Sequence, residues 1–361
     1  MPNKHLKKIN RNSNSNSNYD FDRSKYLRLD RNERTIPFSK KILRDLKKNI
    51  SNTTIQSYPM GTDNLKILIS KKEKINKNFI NIVPGSDSAI KYIFEIFSLQ
   101  KNRFVATIYP TYGMIEVYAK IYKNKLLKVN FPNNKFNVNN FFKRKTKFIY
   151  IANPNQPSGV YINKKNILKI IEKAKKNNTY VVIDEAYIDF SEFESLSIMI
   201  KKFKNLIILK SLSKSFGMAG LRIGYILANP EINKILNTVR ANHDVSFFSI
   251  KAAEYFMKNL KISKNFINEI KDSKNFIIKE CIKRRLKFKN TQTNFFYIMI
   301  PSNKIKKIHN FLFKNRILVR SNYLGSFKNF NNSIRITVGS KKEMSIFFKY
   351  FDKIYRKTKV L

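Results

Sequence analysis

The chain has 361 residues, 42% of them hydrophobic, a formal net charge of +48 and one cysteine, Cys281. That length and apolar content can fill two lobes with substantial cores, and a lone cysteine excludes an internal disulfide framework and fits a reducing compartment. No apolar run approaches the roughly eighteen residues of a membrane span; the three histidines stand far apart, with no acid or cysteine cluster at metal-ligand spacing, so no metal site is expected.

The basic residues are spread along the whole chain rather than gathered into one stripe. Lys, Asn, Ile, Phe and Tyr are all abundant, as in chains encoded by AT-rich codons, although this does not account for the few acids. No specific nucleic-acid or membrane partner is expected, and a positive field favours phosphorylated small molecules. Residues 1–24 form a polar tail, repetitive in Asn and Ser from Asn10 to Asn18, that has little to bury and reads as disordered. Its basic residues flank no apolar segment, so it is not a secretory signal, and a cytoplasmic location is expected.

Residues 25–55 are expected to join residues 251–361 in a smaller α/β domain, around a larger domain of residues 56–250. The first motif of the larger domain is Ile82-Val-Pro-Gly-Ser-Asp-Ser-Ala-Ile90, leading into the apolar-periodic Ile90 to Phe97. It reads as a tight glycine turn opening a helix whose free N–H groups suit a phosphate; alone it is usually just a cap. Strand-like runs follow at Phe104–Ile108 and Lys147–Ile151, the second ending in the turn Asn153-Pro-Asn-Gln-Pro-Ser-Gly159. A helical stretch is predicted over Lys164–Lys176. Tyr180-Val-Val-Ile-Asp-Glu-Ala-Tyr187 is a buried strand delivering a carboxylate, Asp184, at its C-terminal end, where ligands of open α/β sheets bind. Asp184 as a simple helix N-cap is the alternative. Glu185 reads as structural.

Leu209-Lys-Ser-Leu-Ser-Lys-Ser-Phe-Gly-Met-Ala-Gly-Leu-Arg-Ile-Gly224 is the most informative segment. Lys214, between serines just past an apolar run, is placed to form an imine with an aldehyde, and hydroxyls and Arg222 stand ready for a phosphate. An aldehyde and a phosphate on one small molecule describe pyridoxal 5′-phosphate (PLP). Beyond it, Ile223–Leu227 reads as strand and residues 230–285 as helix. Strands are expected at Asn294–Ile300, Ile317–Arg320 and Ile334–Val338, with helices at Asn303–Lys314 and Lys341–Tyr355. The alternation of strands and helices argues for a mainly parallel sheet sandwiched by helices.

The Lys214 segment resembles the Schiff-base lysine motif of the fold-type I PLP aminotransferases. Tyr26-Leu-Arg-Leu-Asp-Arg-Asn-Glu33, Tyr58-Pro-Met-Gly61, Tyr109-Pro-Thr-Tyr-Gly-Met114 and Ile334-Arg-Ile-Thr-Val-Gly339 fall in the order and spacing of the histidinol-phosphate aminotransferases. The resemblance covers roughly residues 25 to 350. It implies a fold-type I PLP transferase: an α/β chain with a mainly parallel central sheet in a large domain plus a smaller α/β domain. It further implies that Lys214 is the catalytic lysine, with Asp184 as counter-ion of the pyridine nitrogen. Tyr187 hydrogen-bonds the 3′-oxygen and Tyr112 stacks on the ring. Ser86, Asp87, Ser211, Ser213 and Arg222 hold the phosphate end. Tyr58 reaches the phosphate of a neighbouring subunit, which places active sites at a homodimer interface. The family loop Asn-Pro-x-Asn-Pro-Thr-Gly puts an Asn where this chain has Gln156, so the amide donates to the 3′-oxygen only if the loop backs away by one methylene. Arg335 and Arg320 bind the anionic ends of substrate, since guanidinium meets carboxylate and phosphate bidentately.

The implied reaction is transamination between glutamate and 2-oxoglutarate on one side and an anionic acceptor on the other, with histidinol phosphate and imidazole-acetol phosphate the named pair. A phospho-amino-acid decarboxylase of the same fold, and an aminotransferase of sugar or surface-polysaccharide synthesis, share the key residues. A PLP-binding transcription factor would need a DNA-binding domain that the 24-residue tail cannot supply.

Overall fold

The computed structural model describes residues 4–7, 9, 21–98, 104–130, 137–321 and 332–357. Most of the expected disordered tail therefore lies outside the described residues; within it, Lys4–Lys7 form one helical turn. The chain divides into two compact units, a larger one of Met1–Ile9 with Phe38–Ser263 and a smaller one of Asn10–Pro37 with Lys264–Leu361. Residues 38–55 and 251–263, both assigned above to the smaller domain, cluster instead with the larger unit, and they pack on each other. Phe38 packs on Phe256 with ring centroids 5.3 Å apart, and Tyr255 Oη donates to Asp45 at 3.0 Å.

Strand β1 (Leu27–Leu29) belongs to the smaller unit. The larger unit builds one seven-stranded sheet from β2 (Ile80–Val83), β3 (Phe104–Tyr109), β4 (Lys125–Asn130), β5 (Thr146–Ala152), β6 (Tyr180–Asp184), β7 (Leu206–Ser211) and β8 (Gly224–Leu227), in the order β2-β8-β7-β6-β5-β3-β4. Strands β7, β6, β5, β3 and β4 are mutually parallel, and β8 runs antiparallel to both its neighbours. The sheet is thus mainly parallel, as the fold class requires. Its central strands are near-continuous Val, Ile and Leu because helices cover both faces. Alternate residues fill different cores. Val181, Ile183, Leu206 and Ile208 enter one, while Val182, Ile207, Leu209 and Tyr150 enter the other.

Helix Lys164–Lys176 buries Ile167, Ile170, Ile171 and Ala174 in the first core, at the i, i+3, i+4, i+7 spacing of one helical face. It starts where the Asn163 side chain accepts from Asn166 N and matches its predicted bounds. Helix Gly85–Phe97 faces the second core through Ala89, Ile90, Ile93, Phe94 and Phe97. Strand β4 was missed in sequence because it is an edge strand with exposed Lys125, Lys128 and Asn130, so its apolar signal is thin. The helix expected across residues 230–285 is three: Pro230–Thr238, Phe247–Lys258 and Leu260–Lys283.

The smaller unit carries a five-stranded sheet of β1, β9 (Phe288–Lys289), β10 (Phe295–Met299), β11 (Ile317–Ser321) and β12 (Ser333–Thr337), ordered β1-β11-β12-β10-β9. Only the β1–β11 pair is parallel. Among the described residues no helix is long and apolar enough to cross a membrane, and no group of His, Cys, Asp and Glu could hold a metal ion.

Candidate active site

Parallel strands carry their C-terminal ends to one edge of the sheet, and the predicted cofactor residues other than Tyr58 lie there. Asp184 is the last residue of β6 and is buried. Its Oδ2 accepts from Tyr150 Oη at 2.7 Å and its Oδ1 from Ala186 N at 3.0 Å. Burial pushes the carboxyl up to about 6; those two hydrogen bonds and the charge of Lys214 oppose the rise, and Glu185 adds to it. Lys214 Nζ stands 5.6 Å from the centre of the Tyr187 ring. Burial raises Tyr112 well above the usual phenol range, with further contributions from Asp87, Tyr187 and Asp184. Asp184, Tyr187, Tyr112, Asp87 and Lys214 therefore share one electrostatic neighbourhood.

A second group forms the cradle beside it. Gly85, at φ +82, opens helix Gly85–Phe97, whose first turn holds Ser86 and Asp87. Arg222, in the left-handed region at φ 48, lays its guanidinium over that turn: a Cβ placed on Gly85 would lie 3.1 Å from Nη2. Gly224 closes the cradle, since a Cβ there would meet Lys210 O at 2.5 Å, Gly85 Cα at 3.2 Å and Ser86 N at 3.3 Å. Free N–H groups of a helix start plus one guanidinium make an anion site. Ser211 ends β7, and its Oγ accepts from Ser213 N at 3.2 Å.

The Asn-Pro loop after β5 is tied down at both ends. Asn153 Nδ2 donates to Ile162 O at 3.0 Å, and Ile162 N returns a bond to Asn153 Oδ1 at 2.8 Å. Asn155 Nδ2 donates to Pro110 O and to Ser158 Oγ. The Tyr109–Pro110, Asn153–Pro154 and Gln156–Pro157 bonds are cis. Gln156 Oε1 and, next to Tyr112, Thr111 Oγ1 are buried with no hydrogen-bond partner. Buried polar atoms are seldom left unpaired in a protein, and water, an ion or a ligand is the usual completion. Those orphaned atoms, the glycine cradle and the Asp184 carboxylate fit a small molecule with one phosphate and one cationic ring nitrogen.

Of the remaining predicted residues, Tyr58 belongs to the larger unit and Arg320 and Arg335 to the smaller. Tyr58 is 80% exposed and stacks on His243 with centroids 4.9 Å apart. Arg320 and Arg335 face each other across β11 and β12 in the smaller unit. Two guanidiniums in cross-strand register repel unless an anion joins them. Arg335 is buried, donates to Asp30 O at 2.9 Å, and leaves its Nε buried without a partner. Sequence reasoning missed Tyr150, and it placed Gly224 in the motif without the close backbone approach that requires a glycine there. Tyr150 looks like a core aromatic in an apolar strand, and only the β5–β6 register brings it to Asp184.

Asp184 makes a direct prediction for the cofactor-free protein. An acid held above its unfolded value binds its proton more tightly when folded, so the folded state loses stability as pH rises from about 4 to about 6, by about 3 kcal/mol in total. Asp184→Asn removes that loss. Urea unfolding should find the variant about 3 kcal/mol more stable than the parent at pH 7 and equal to it near pH 3. An equal difference at both pH values would show that the carboxyl does not titrate in this range.

Comparison with known proteins agrees with this geometry. Residues 21–351 match the family described as Aminotransferase class I and II. Histidinol-phosphate aminotransferase of Clostridium novyi (strain NT) is 33% identical over 324 residues, covering 88% of each chain. In fold, the chain resembles histidinol-phosphate aminotransferase from Sinorhizobium meliloti in complex with pyridoxal 5′-phosphate, with TM-score 0.81, 19% identity and 92% and 91% of the two chains covered. It also resembles L-threonine-O-3-phosphate decarboxylase from Porphyromonas gingivalis, with TM-score 0.79, 20% identity and 91% and 99% covered.

Proposed function

The chain belongs to the class I and II aminotransferases, within the histidinol-phosphate aminotransferase family, and on that premise we propose that it is a PLP enzyme moving an amino group between glutamate and imidazole-acetol phosphate. The observation that carries the cofactor reading is a buried carboxylate, Asp184, in the same neighbourhood as Lys214 and Tyr187, with the Gly85–Arg222 cradle alongside. The named relatives support the substrate pair over the decarboxylase, which shares the fold alone.

When bound, PLP supplies an electrophilic carbon and an electron sink. Lys214 is the nucleophile that holds it and, once released, the base that carries a proton at Nζ. Asp184 keeps a positive charge on the ring nitrogen, and the same charge relieves the cost of its own burial. Tyr187 and Gln156 are assigned to the 3′-oxygen, and Tyr112 to the ring face. Arg222, Ser86, Asp87, Ser211 and Ser213 take the phosphate end. Arg335 and Arg320 are assigned to the anionic groups of substrate. The exposure of Tyr58 supports a homodimer in which it reaches the neighbouring subunit. A cytoplasmic enzyme is the matching location.

The test is direct. PLP-loaded protein mixed with L-glutamate should lose the bound cofactor's absorbance band and release 2-oxoglutarate, and histidinol phosphate should do the same with its own keto product. Release of carbon dioxide in place of a keto acid would transfer the assignment to a decarboxylase. Arg335→Ala should raise KM for histidinol phosphate by roughly thirtyfold, and Arg335→Lys should recover little of it, because a point charge cannot replace the bidentate fork. An unchanged KM in Arg335→Ala would remove that residue from the substrate site.

A further inference from the structure

The side of the sheet away from Asp184 carries a buried charged cluster that the reaction leaves unused. Lys210 of β7 pairs with Glu185 at 2.7 Å, donates to Ser195 Oγ at 2.8 Å and stands 3.9 Å from Glu73. Glu185 also accepts from Ser195 Oγ at 2.5 Å and Leu196 N at 2.8 Å, and Glu73 from Tyr225 Oη at 2.6 Å and Ser197 Oγ at 2.5 Å. Lys210, Glu185 and Glu73 are all buried. A buried ion pair is a poor way to gain stability, because well-packed apolar residues do as well without desolvating charge. Here the pair joins the end of β7 to the residue that follows Asp184, the last residue of β6.

Two stretches of chain run side by side, residues 184–189 after β6 and 210–215 at the end of β7. Asp184 pairs with Leu209 in the sheet, and Glu185 N donates to Leu209 O at 2.9 Å. The Glu185–Lys210 pair joins the stretches at one end. At the other, Ser215 Oγ donates to Asp189 at 2.5 Å, and Ser215 O accepts from Ser263 Oγ at 2.9 Å. Between these two joints lie the groups that must meet the cofactor: Asp184 and Tyr187 on one stretch, Lys214 on the other. Consecutive residues point to opposite faces, so Asp184 can serve the site while Glu185 serves the clamp. Lys214 itself is flanked by a residue only 1% exposed, Ser215, which leaves its backbone little room to drift.

We propose that Glu185, Lys210, Asp189 and Ser215 are positioning residues: the Glu185–Lys210 and Asp189–Ser215 links set the reach of Lys214 Nζ relative to Asp184 and Tyr187. The proposal rests on the PLP reading of Lys214 given above, and it adds residues that touch neither cofactor nor substrate.

The experiment compares wild type, Ser215→Ala, Asp189→Asn, Glu185→Gln and Lys210→Arg as PLP-loaded proteins. It records kcat and KM with glutamate, the rate at which borohydride fixes PLP to Lys214, and the melting temperature of each cofactor-free protein. Ser215→Ala and Glu185→Gln should lower kcat and the fixation rate by about tenfold or more, with KM changed less than about twofold, because misplacement of a reacting group costs rate rather than binding. Asp189→Asn keeps an acceptor for Ser215 and should stay within about threefold of wild type. Lys210→Arg keeps the charge but forces a larger guanidinium into a buried site, so it should lower kcat and the fixation rate with the other two. A lower melting temperature in Ser215→Ala and Glu185→Gln with kcat and fixation rate unchanged would show a merely structural cluster and overturn the proposal. Borohydride fixing no PLP at Lys214 in wild type would sink the cofactor reading and the proposal with it. Normal fixation in wild type and in Ser215→Ala would sink the proposal alone.

Discussion

Lys214→Ala is expected to lower kcat by about a thousandfold or more, with the melting temperature of the cofactor-free protein nearly unchanged. Lys214 is half-buried with its Nζ over the Tyr187 ring, so truncation to Cβ removes the reacting amine without opening a hole in the core. Lys214→Arg separates charge from chemistry. It keeps the cation beside Asp184, yet a guanidinium stays protonated and is neither nucleophile nor base at neutral pH. Both variants should therefore be comparably inactive with glutamate, and neither should carry PLP through borohydride treatment. Retention of a tenth of wild-type activity by either would place the catalytic amine elsewhere.

Gly224→Ala should be strongly damaging. Its Cβ would lie 2.5 Å from Lys210 O, a backbone atom of the neighbouring strand, with Gly85 Cα and Ser86 N at 3.2 and 3.3 Å behind it. No rotamer change relieves a clash with backbone, so β8 must move off β7 or off the turn that opens helix Gly85–Phe97. Overpacking of this kind costs about 3 kcal/mol, and the displaced turn should weaken PLP binding by about a hundredfold, since the proposed phosphate cradle is made of those same N–H groups. Gly220→Ala supplies the control within the same motif: a Cβ at Gly220 meets nothing within 4 Å, and the residue is exposed. It should change stability by less than about 0.5 kcal/mol and leave PLP affinity unaltered. Urea unfolding and equilibrium dialysis with PLP measure both. Equal effects from the two glycines would mean that close approach is not what Gly224 is for.

Those two glycines show how far a sequence can be read. The spacing Phe216, Gly217, Gly220, Arg222, Gly224 identified the motif, but nothing in a linear pattern distinguishes a glycine that two backbones crowd from one that faces open space. The same holds at Asp184. That a carboxylate ends a buried strand was legible from Val-Val-Ile-Asp. That Tyr150 donates to it depends on the register of β5 against β6. Helix Lys164–Lys176 was readable to the residue, because its apolar period is a local signal. Strand β4 and the eight-residue break between Thr238 and Phe247 were not, since an edge strand and an interhelical turn carry little hydrophobic pattern.

By itself, then, the sequence determined the α/β class, the family, and the residues proposed for the cofactor: Lys214, Asp184, Arg222 and the turn at Gly85. These follow from short-range patterns, namely apolar periodicity, glycine turns and a motif whose members lie within a few residues of one another. The tertiary structure alone decided that residues 38–55 pack with the larger unit, that Arg320 and Arg335 stand opposite each other, and that Glu185 faces Lys210 rather than the site. Each of these depends on strand register or on side-chain parity across a sheet, where a shift of one residue sends every group to the other face.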